Sequence, residues 1–166
     1  MWRLLVLAAA LAAWGAAASA CPGMGFRKDE LSVTARQLMT PRVATVRAGG
    51  TVLLGECAEL PGVGNIPFDP SVSLLYVPDR KRMDLELRAE GDCDPVLLVR
   101  GPSGRFFFDD DDGGARNARI RLAQPPAGRY TIWVGSQGGV ACPARLTLQT
   151  FRGVTRYAEG RIRRPG

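Results

Sequence analysis

The stretch from Cys93 to Thr150 constrains the fold most strongly, because short apolar runs alternate there with glycine- and proline-rich turns. In Ala118–Leu122 every second residue is apolar, and Arg82–Arg88 just upstream alternates in the same way. A period of two places one face of a strand against a core and the other towards solvent. Closely spaced strands of this kind, with no clear helical pattern, predict an all-β antiparallel sandwich.

The segment before these strands predicts a hairpin followed by a long loop. Arg42–Leu54 contains two β-branched runs around Gly49 and Gly50. Paired glycines tolerate the positive φ of a tight primed turn, so the two runs are expected to pair as a β-hairpin. Cys57–Pro70 is rich in proline and glycine and is predicted to be a loop. Because loops often carry function, it is a candidate contact surface.

The first twenty residues have the composition of a secretory signal peptide. Arg3 precedes an apolar run, and the small residues ending at Ala20 predict cleavage between Ala20 and Cys21. An uncleaved membrane anchor is the alternative, since the run is about long enough to span a bilayer. No later segment is long and apolar enough to do so. The prediction is therefore a periplasmic or secreted protein without a transmembrane span.

We expect four segments: the signal peptide at 1–20, an N-terminal arm at 21–41, the sandwich at 42–151 and a basic C-terminal tail at 152–166. Cleavage would leave Cys21 as the first residue, which is the position that lipoprotein processing requires. A lipid anchor at Cys21, and hence an outer-membrane lipoprotein, is the alternative localisation. The usual aliphatic residue three positions before that cysteine is here Ala18.

Four cysteines at widely separated positions predict disulfides, because an even count in an exported chain is typical of such bonds. Their spacing does not fit a zinc or redox motif. Of three possible connectivities we favour Cys93–Cys142, since each precedes a strand, together with Cys21–Cys57, which would hold the N-terminal arm. If Cys21 is lipidated, Cys57 loses that partner.

The sequence contains no histidine, which removes histidine general acid–base chemistry, Ser-His-Asp sites and histidine metal ligands. This favours a protein that is not an enzyme. The formal net charge is +6, and nearly all of the positive charge is arginine. Because the charges alternate along strands and the chain is predicted to be exported, we interpret them as a solubility feature and expect no nucleic-acid partner.

The residues from Asp94 to Ser136 resemble the bacterial pre-peptidase C-terminal (PPC) domain. The similarity lies in D-P-V-L-L-V, the acidic D-D-D-D-G-G run and A-G-R-Y-T-I-W-V, and it extends more weakly over Val43–Thr150. The resemblance implies a jelly-roll-like β-sandwich of about eight strands. It also implies a non-catalytic module, of a kind that accompanies secreted peptidases and in some members binds polymers or calcium. No catalytic domain accompanies this chain, so a stand-alone version is expected.

The run Asp109, Asp110, Asp111 and Asp112, followed by two glycines, is the candidate metal site. Adjacent carboxylates repel unless they are solvated or bridged by a cation, and calcium prefers oxygen ligands in a flexible loop. The alternative is a solvated turn in which one aspartate caps loop amides. A hydrolase that uses these carboxylates as paired acids is a further alternative, although such acids normally lie on separate rigid elements.

Aromatic residues give two further candidate contacts. Phe106–Phe108 could form a hydrophobic patch, but core packing with one outward ring is favoured. Trp133 could stack on a ligand, but packing as a partly buried residue is favoured. The leading hypothesis is a non-catalytic exported binding or structural module, with calcium as a possible structural ion. It would bind a protein or a polymer in the envelope or outside. The alternatives are a peptidase accessory protein or hydrolase acting through the aspartate loop, and an envelope lipoprotein.

Overall fold

The chain folds as two β-sheets packed face to face, in a computed structural model that describes residues 21–79 and 82–153. Those residues contain two 3-10 helices, Gln37–Met39 and Leu54–Glu56, and no helix among them could cross a membrane. The prediction of an all-β sandwich is confirmed, whereas the predicted signal peptide and most of the predicted tail lie outside the described residues. The strands in the described part are β1 (Glu30–Thr34), β2 (Arg42–Ala48), β3 (Val52–Leu53), β4 (Asn65–Ile66), β5 (Val72–Val77), β6 (Met83–Gly91), β7 (Pro95–Arg100), β8 (Phe106–Asp109), β9 (Ala118–Leu122), β10 (Gly128–Ser136) and β11 (Cys142–Arg152).

Strand β10 forms the centre of the larger sheet. β7 pairs along one of its edges and β5 and β4 along the other, while β8, β1 and β3 lie outside these strands. The smaller sheet has the order β2–β11–β6–β9 and is antiparallel throughout the described residues. In the larger sheet β1 runs parallel to β5, so part of the segment predicted as an arm belongs to the sandwich.

The main core lies between the two sheets and follows the period of two seen in the sequence. In β6 the side chains of Leu85 and Leu87 are fully buried in this core. Asp84 and Glu86 alternate with them and therefore point to the outer face of the smaller sheet. β9 repeats the pattern with buried apolar residues between exposed arginines. Alternation in the sequence thus identified the inward face of these strands.

A second apolar core lies on the outer face of the larger sheet and was not predicted. Trp133, Val96 and Leu98 point away from the main core, and residues 52–66 cover them. Trp133 is 0% exposed, so the hypothesis that it is an exposed, ligand-stacking residue is wrong. For the same reason Trp133 is not a contact surface for a partner. Residues 52–66, which we call the cover segment, include much of the predicted loop. They do more than connect strands, because they bury this face.

The phenylalanines of β8 divide between the two cores because neighbouring residues of a strand point in opposite directions. Phe107 packs against the main core, while Phe106 and Phe108 pack against the second core. All three side chains are half-buried, in agreement with the packing interpretation. Gly62 of the cover segment lies directly over Phe108, where a Cβ atom would come within 2.2 Å of the ring. Glycine at this position therefore permits close contact between the cover segment and β8.

The predicted hairpin around Gly49 and Gly50 is wrong. β2 ends before these glycines in the smaller sheet and pairs with β11, whereas β3 follows them in the larger sheet and pairs with β4. Gly49 has a φ of +95°, and a Cβ atom on Gly50 would lie 2.2 Å from the backbone of Ile66. The two glycines therefore carry the chain from one sheet to the other, where space is too small for side chains.

Two disulfides connect segments that are distant in the sequence. Cys21 is bonded to Cys57 of the cover segment, and Cys93, in the β6–β7 turn, is bonded to Cys142 at the start of β11. The Cα–Cα distances are 5.7 and 5.9 Å. Disulfides of this kind persist in oxidising compartments, so the bridges indicate an exported protein.

Candidate functional site

The strand pairing gives the two ends of the sandwich an opposite balance of charge, which the alternation along single strands did not reveal. The turn after β6 and the loop after β8 lie at one end, where the Gly91 amide donates to the Asn117 side chain at 3.2 Å. We call this the acidic end. The turns after β5, β7 and β9 lie at the other, which we call the basic end. The acidic end carries Glu90, Asp92, Asp94 and Asp109–Asp112 with fewer cations, among them Arg116 at 4.0 Å from Asp94, and the basic end carries Arg36, Arg42, Arg82, Arg100, Arg105, Arg121 and Arg152 with fewer carboxylates, namely Asp79 and Asp84.

Asp109 has a structural role at the acidic end. Its Oδ2 atom accepts hydrogen bonds from the backbone amides of Asp112, at 3.1 Å, and Arg119, at 2.7 Å. One carboxylate oxygen thus holds the loop after β8 to the first residues of β9. Partial burial raises the pKa of Asp109 above its usual value, with a further contribution from the nearby Asp112, although the two amide donors oppose the shift.

The other three aspartates of the run are not gathered around a common point. Asp110 is half-buried, and Asp111 and Asp112 are exposed. Within the described residues no group of three acidic, cysteine or histidine side chains is arranged to hold a metal ion. The arrangement matches a solvated turn in which one aspartate caps loop amides. Calcium binding by Asp109–Asp112 stays a prediction.

Replacing Asp109 by alanine is expected to lower the free energy of unfolding by about 1 kcal/mol, because two amides lose a charged acceptor in a solvent-accessible loop. Asp109→Asn retains an acceptor oxygen and should lose much less.

The raised pKa means that protonation of Asp109 stabilises the fold below about pH 4 and that this contribution is lost as the pH rises. Asparagine should therefore compare more favourably with aspartate at pH 7 than at pH 3. Urea unfolding of the unmodified protein and both variants at pH 3 and pH 7 measures these free energies. Equal losses for the alanine and asparagine variants would contradict the role of the acceptor oxygen, and an asparagine loss that does not change with pH would contradict the pH dependence.

A pocket of about 400 Å³ opens at the basic end, between the β7–β8 turn and the β9–β10 turn. The β7–β8 turn is closed by a hydrogen bond from the Gly101 amide to the Arg105 carbonyl at 2.8 Å. Across the pocket, the hydroxyl of Tyr130 donates to the Pro126 carbonyl at 2.9 Å. Volumes of this size are typical of small-molecule and side-chain pockets. Since both walls are held by internal hydrogen bonds, the pocket is already formed without a ligand.

The floor of the pocket is apolar and its rim is basic. Leu122, Pro125 and Tyr130 are buried and Phe107 is half-buried, and together they form the floor. Tyr130 also contacts Tyr76 edge-on, with ring centroids 6.2 Å apart. Burial raises the pKa of both tyrosines to about 12, so they stay neutral at physiological pH. The floor therefore contributes no negative charge.

The two arginines at the rim differ in their partners. Arg121 lies 3.3 Å from Asp84 and 3.9 Å from Glu86, and its guanidinium contacts the ring of Phe151 at 5.0 Å. Arg105 has no acidic partner among the described residues; its guanidinium lies over the ring of Phe107 at 5.0 Å. Arg121 is thus neutralised by carboxylates of the protein, whereas Arg105 remains available.

Asp84 positions one wall of this pocket. It is 2% exposed, and besides Arg121 it accepts a hydrogen bond from the Gln124 amide at 3.3 Å. Gln124 has a φ of +46°, so the β9–β10 turn adopts a strained conformation there that this bond supports. The alternation in Arg82–Arg88 places Asp84 on an outward strand face, and the pocket was not predicted because its lining comes from three strands and two turns. The sequence signal that could have indicated the site was proline in both turns, Pro102 in one and Pro125 and Pro126 in the other.

The comparisons with known proteins give one relative in sequence. No family model matches the chain, and the resemblance to the PPC domain stays a prediction. Among solved structures, PliG from Aeromonas hydrophila, a periplasmic inhibitor of g-type lysozyme, matches 73% of this chain and 96% of its own. Its identity is 14% and its TM-score 0.38, values too low to carry an inference about function. An uncharacterized protein of Synechococcus elongatus is 34% identical over 95 residues, which cover 57% of this chain and 67% of that protein, so the chain belongs to the same family as that cyanobacterial protein.

Proposed function

We propose that the chain is a non-catalytic binding module that works outside the cytoplasm and holds a negatively charged protein or polymer at its basic end. The observation that carries the proposal is the unequal balance of charge, with an excess of arginines at the end that holds a preformed pocket and an excess of carboxylates at the other. Opposite charges on partners accelerate association and select the docking surface. The two disulfides support a location in an oxidising compartment.

The chemistry of the available side chains supports binding over catalysis. The sequence has no histidine, and all four cysteines are disulfide-bonded. Asp109 is occupied by two backbone amides, so the alternative of a hydrolase acting through Asp109–Asp112 would have to use a carboxylate that already holds the loop together. A peptidase accessory role rests on the resemblance to the PPC domain alone.

Removing arginines at the basic end should weaken binding to an acidic polymer more than removing the same number of arginines towards the acidic end. The triple variant Arg36→Gln, Arg82→Gln and Arg152→Gln changes exposed residues without recorded ion pairs in the described structure. We expect it to reduce the affinity for poly-L-glutamate about tenfold at low salt, and less at high salt because ions screen exposed charges.

A matched control separates position from net charge. Arg47, Arg119 and Arg145 are also exposed, but they lie towards the acidic end, and their triple glutamine variant has the same net charge as the first. It should bind poly-L-glutamate within about twofold of the unmodified protein, as measured by fluorescence anisotropy of labelled polymer. Equal weakening in the two variants would show that only net charge matters and would contradict the proposal.

The lipoprotein alternative is tested at Cys21. The Cys21–Cys57 bridge supports an unlipidated protein, because the same sulfur cannot carry both a disulfide and a thioether-linked lipid. Mass spectrometry after tryptic digestion without reduction should find peptide 21–27 linked to peptide 48–80, with no acyl mass. A diacylglycerol mass on the N-terminal peptide would establish the lipoprotein instead.

A further inference from the structure

The pocket between the β7–β8 and β9–β10 turns combines an apolar floor with a rim arginine that has no acidic partner among residues 21–79 and 82–153. We infer that it binds a carboxylate that adjoins an apolar group, such as the C-terminal residue of a peptide or a small aromatic acid. This inference rests on the proposed function and narrows it to one site and one ligand chemistry. It is carried by Arg105, which has no acidic partner in the described structure, and by the apolar residues beneath it.

Arg105 is suited to hold a carboxylate. Its guanidinium lies over the Phe107 ring at 5.0 Å, a contact that limits its freedom before a ligand arrives. A guanidinium that rests against a ring can still donate through its N–H edge, and this planar fork matches the two oxygens of a carboxylate. Preorganisation of this kind reduces the entropy that the side chain would otherwise lose on binding.

The charges around the pocket favour a singly charged anion. Arg121 faces the same pocket, but Asp84 and Glu86 lie 3.3 and 3.9 Å from it and balance its charge. Asp84 is 2% and Glu86 6% exposed, so their fields are only weakly screened at the pocket wall. A doubly charged group such as a phosphate would meet one available cation and these two buried carboxylates.

The floor explains why the carboxylate should adjoin an apolar group. Leu122, Pro125 and Tyr130 are buried and present carbon atoms to the pocket, and the Tyr130 hydroxyl is already bonded to the Pro126 carbonyl. An aliphatic or aromatic side chain can lie on this floor while the carboxylate reaches Arg105 at the rim. The volume of about 400 Å³ accommodates one such group.

The test uses two ligands that differ in one group. We expect N-acetyl-L-phenylalanine to bind, with NMR shift changes at the backbone amides of Gly101, Ser103–Arg105, Ala123, Gln124, Ala127 and Gly128. Its C-terminal amide should bind at least tenfold more weakly. Arg105→Gln should remove this discrimination, and Arg105→Lys should restore only part of it because lysine lacks the fork. Arg119→Gln is the control, since it removes an exposed arginine near the other end.

Three results would overturn the inference. Equal binding of the acid and the amide would show that the carboxylate is not recognised, and unchanged binding by Arg105→Gln would place the contact elsewhere. A pentapeptide ending in phenylalanine, with a free or an amidated C-terminus, distinguishes the sources: tighter binding of the free-acid peptide than of the single residue indicates a protein C-terminus, and weaker binding indicates a small acid. If only poly-L-glutamate binds, the proposed function stands and the pocket inference fails.

Discussion

Trp133→Ala is expected to lower the free energy of unfolding by about 4 kcal/mol, the largest effect of any single substitution that we predict. The side chain is fully buried between the larger sheet and the cover segment, so its removal leaves a cavity lined by Val96, Leu98 and Ile66. Tryptophan-to-alanine changes in well-packed cores cost about 3–5 kcal/mol, since lost burial and the cavity both contribute. Equilibrium unfolding in urea, followed by far-ultraviolet circular dichroism, measures the loss.

Trp133→Phe is the matched control, and its expected loss is about 1–2 kcal/mol. Phenylalanine keeps most of the apolar contact, and the indole nitrogen that it removes has no hydrogen-bond partner in the described structure. Removing an unsatisfied buried donor offsets part of the lost packing. If the alanine variant lost no more than the phenylalanine variant, the cover segment would not be packed on Trp133 as described.

Replacing Cys93 and Cys142 together by serine is expected to lower the free energy of unfolding by about 4 kcal/mol. The bridge spans 49 residues, and the stabilisation follows from the restriction that it places on the unfolded chain. Urea unfolding of the double variant, compared with the oxidised protein at equal temperature and pH, gives the difference. A loss below about 1 kcal/mol would mean that the native state gains little from the bridge.

The Cys21–Cys57 bridge provides a comparison between the two cores. Its span of 36 residues predicts nearly the same loss, because closure entropy depends only on the logarithm of loop length. The location of the effect should differ, since Cys57 packs in the second core. We expect the Cys21→Ser and Cys57→Ser variant to become sensitive to proteases within the cover segment, and the Cys93 and Cys142 variant to do so less.

The inward faces of the strands could be predicted from the sequence, but their assignment to sheets could not. Alternation in β6 and β9 identifies buried and exposed positions because it depends only on neighbouring residues. The failure at Gly49 and Gly50 has a different origin. Two glycines permit both a tight turn and a crossing between sheets, and the choice depends on Ile66, whose backbone lies against Gly50. No local pattern contains that contact.

The same limit applies to the candidate site. The aspartate run is contiguous in the sequence and was easily singled out, yet Asp109 holds a loop through backbone amides. The pocket at the basic end is assembled from residues in separate strands, and Arg105 differs from Arg121 only in what lies beside it. Trp133, for which packing was favoured, is buried more completely than the sequence indicated, because a segment distant in the chain covers its outward position on the strand.

The excess of carboxylates at one end and of arginines at the other gives the molecule an electric dipole along the strands. Near a negatively charged surface, such a body turns until its arginine-bearing turns face the surface, before any specific contact forms. The Cys93–Cys142 bridge, at the opposite end, then faces away. Orientation therefore precedes recognition, and because salt shortens the reach of the field, this alignment fades as ionic strength rises even where the pocket itself is unchanged.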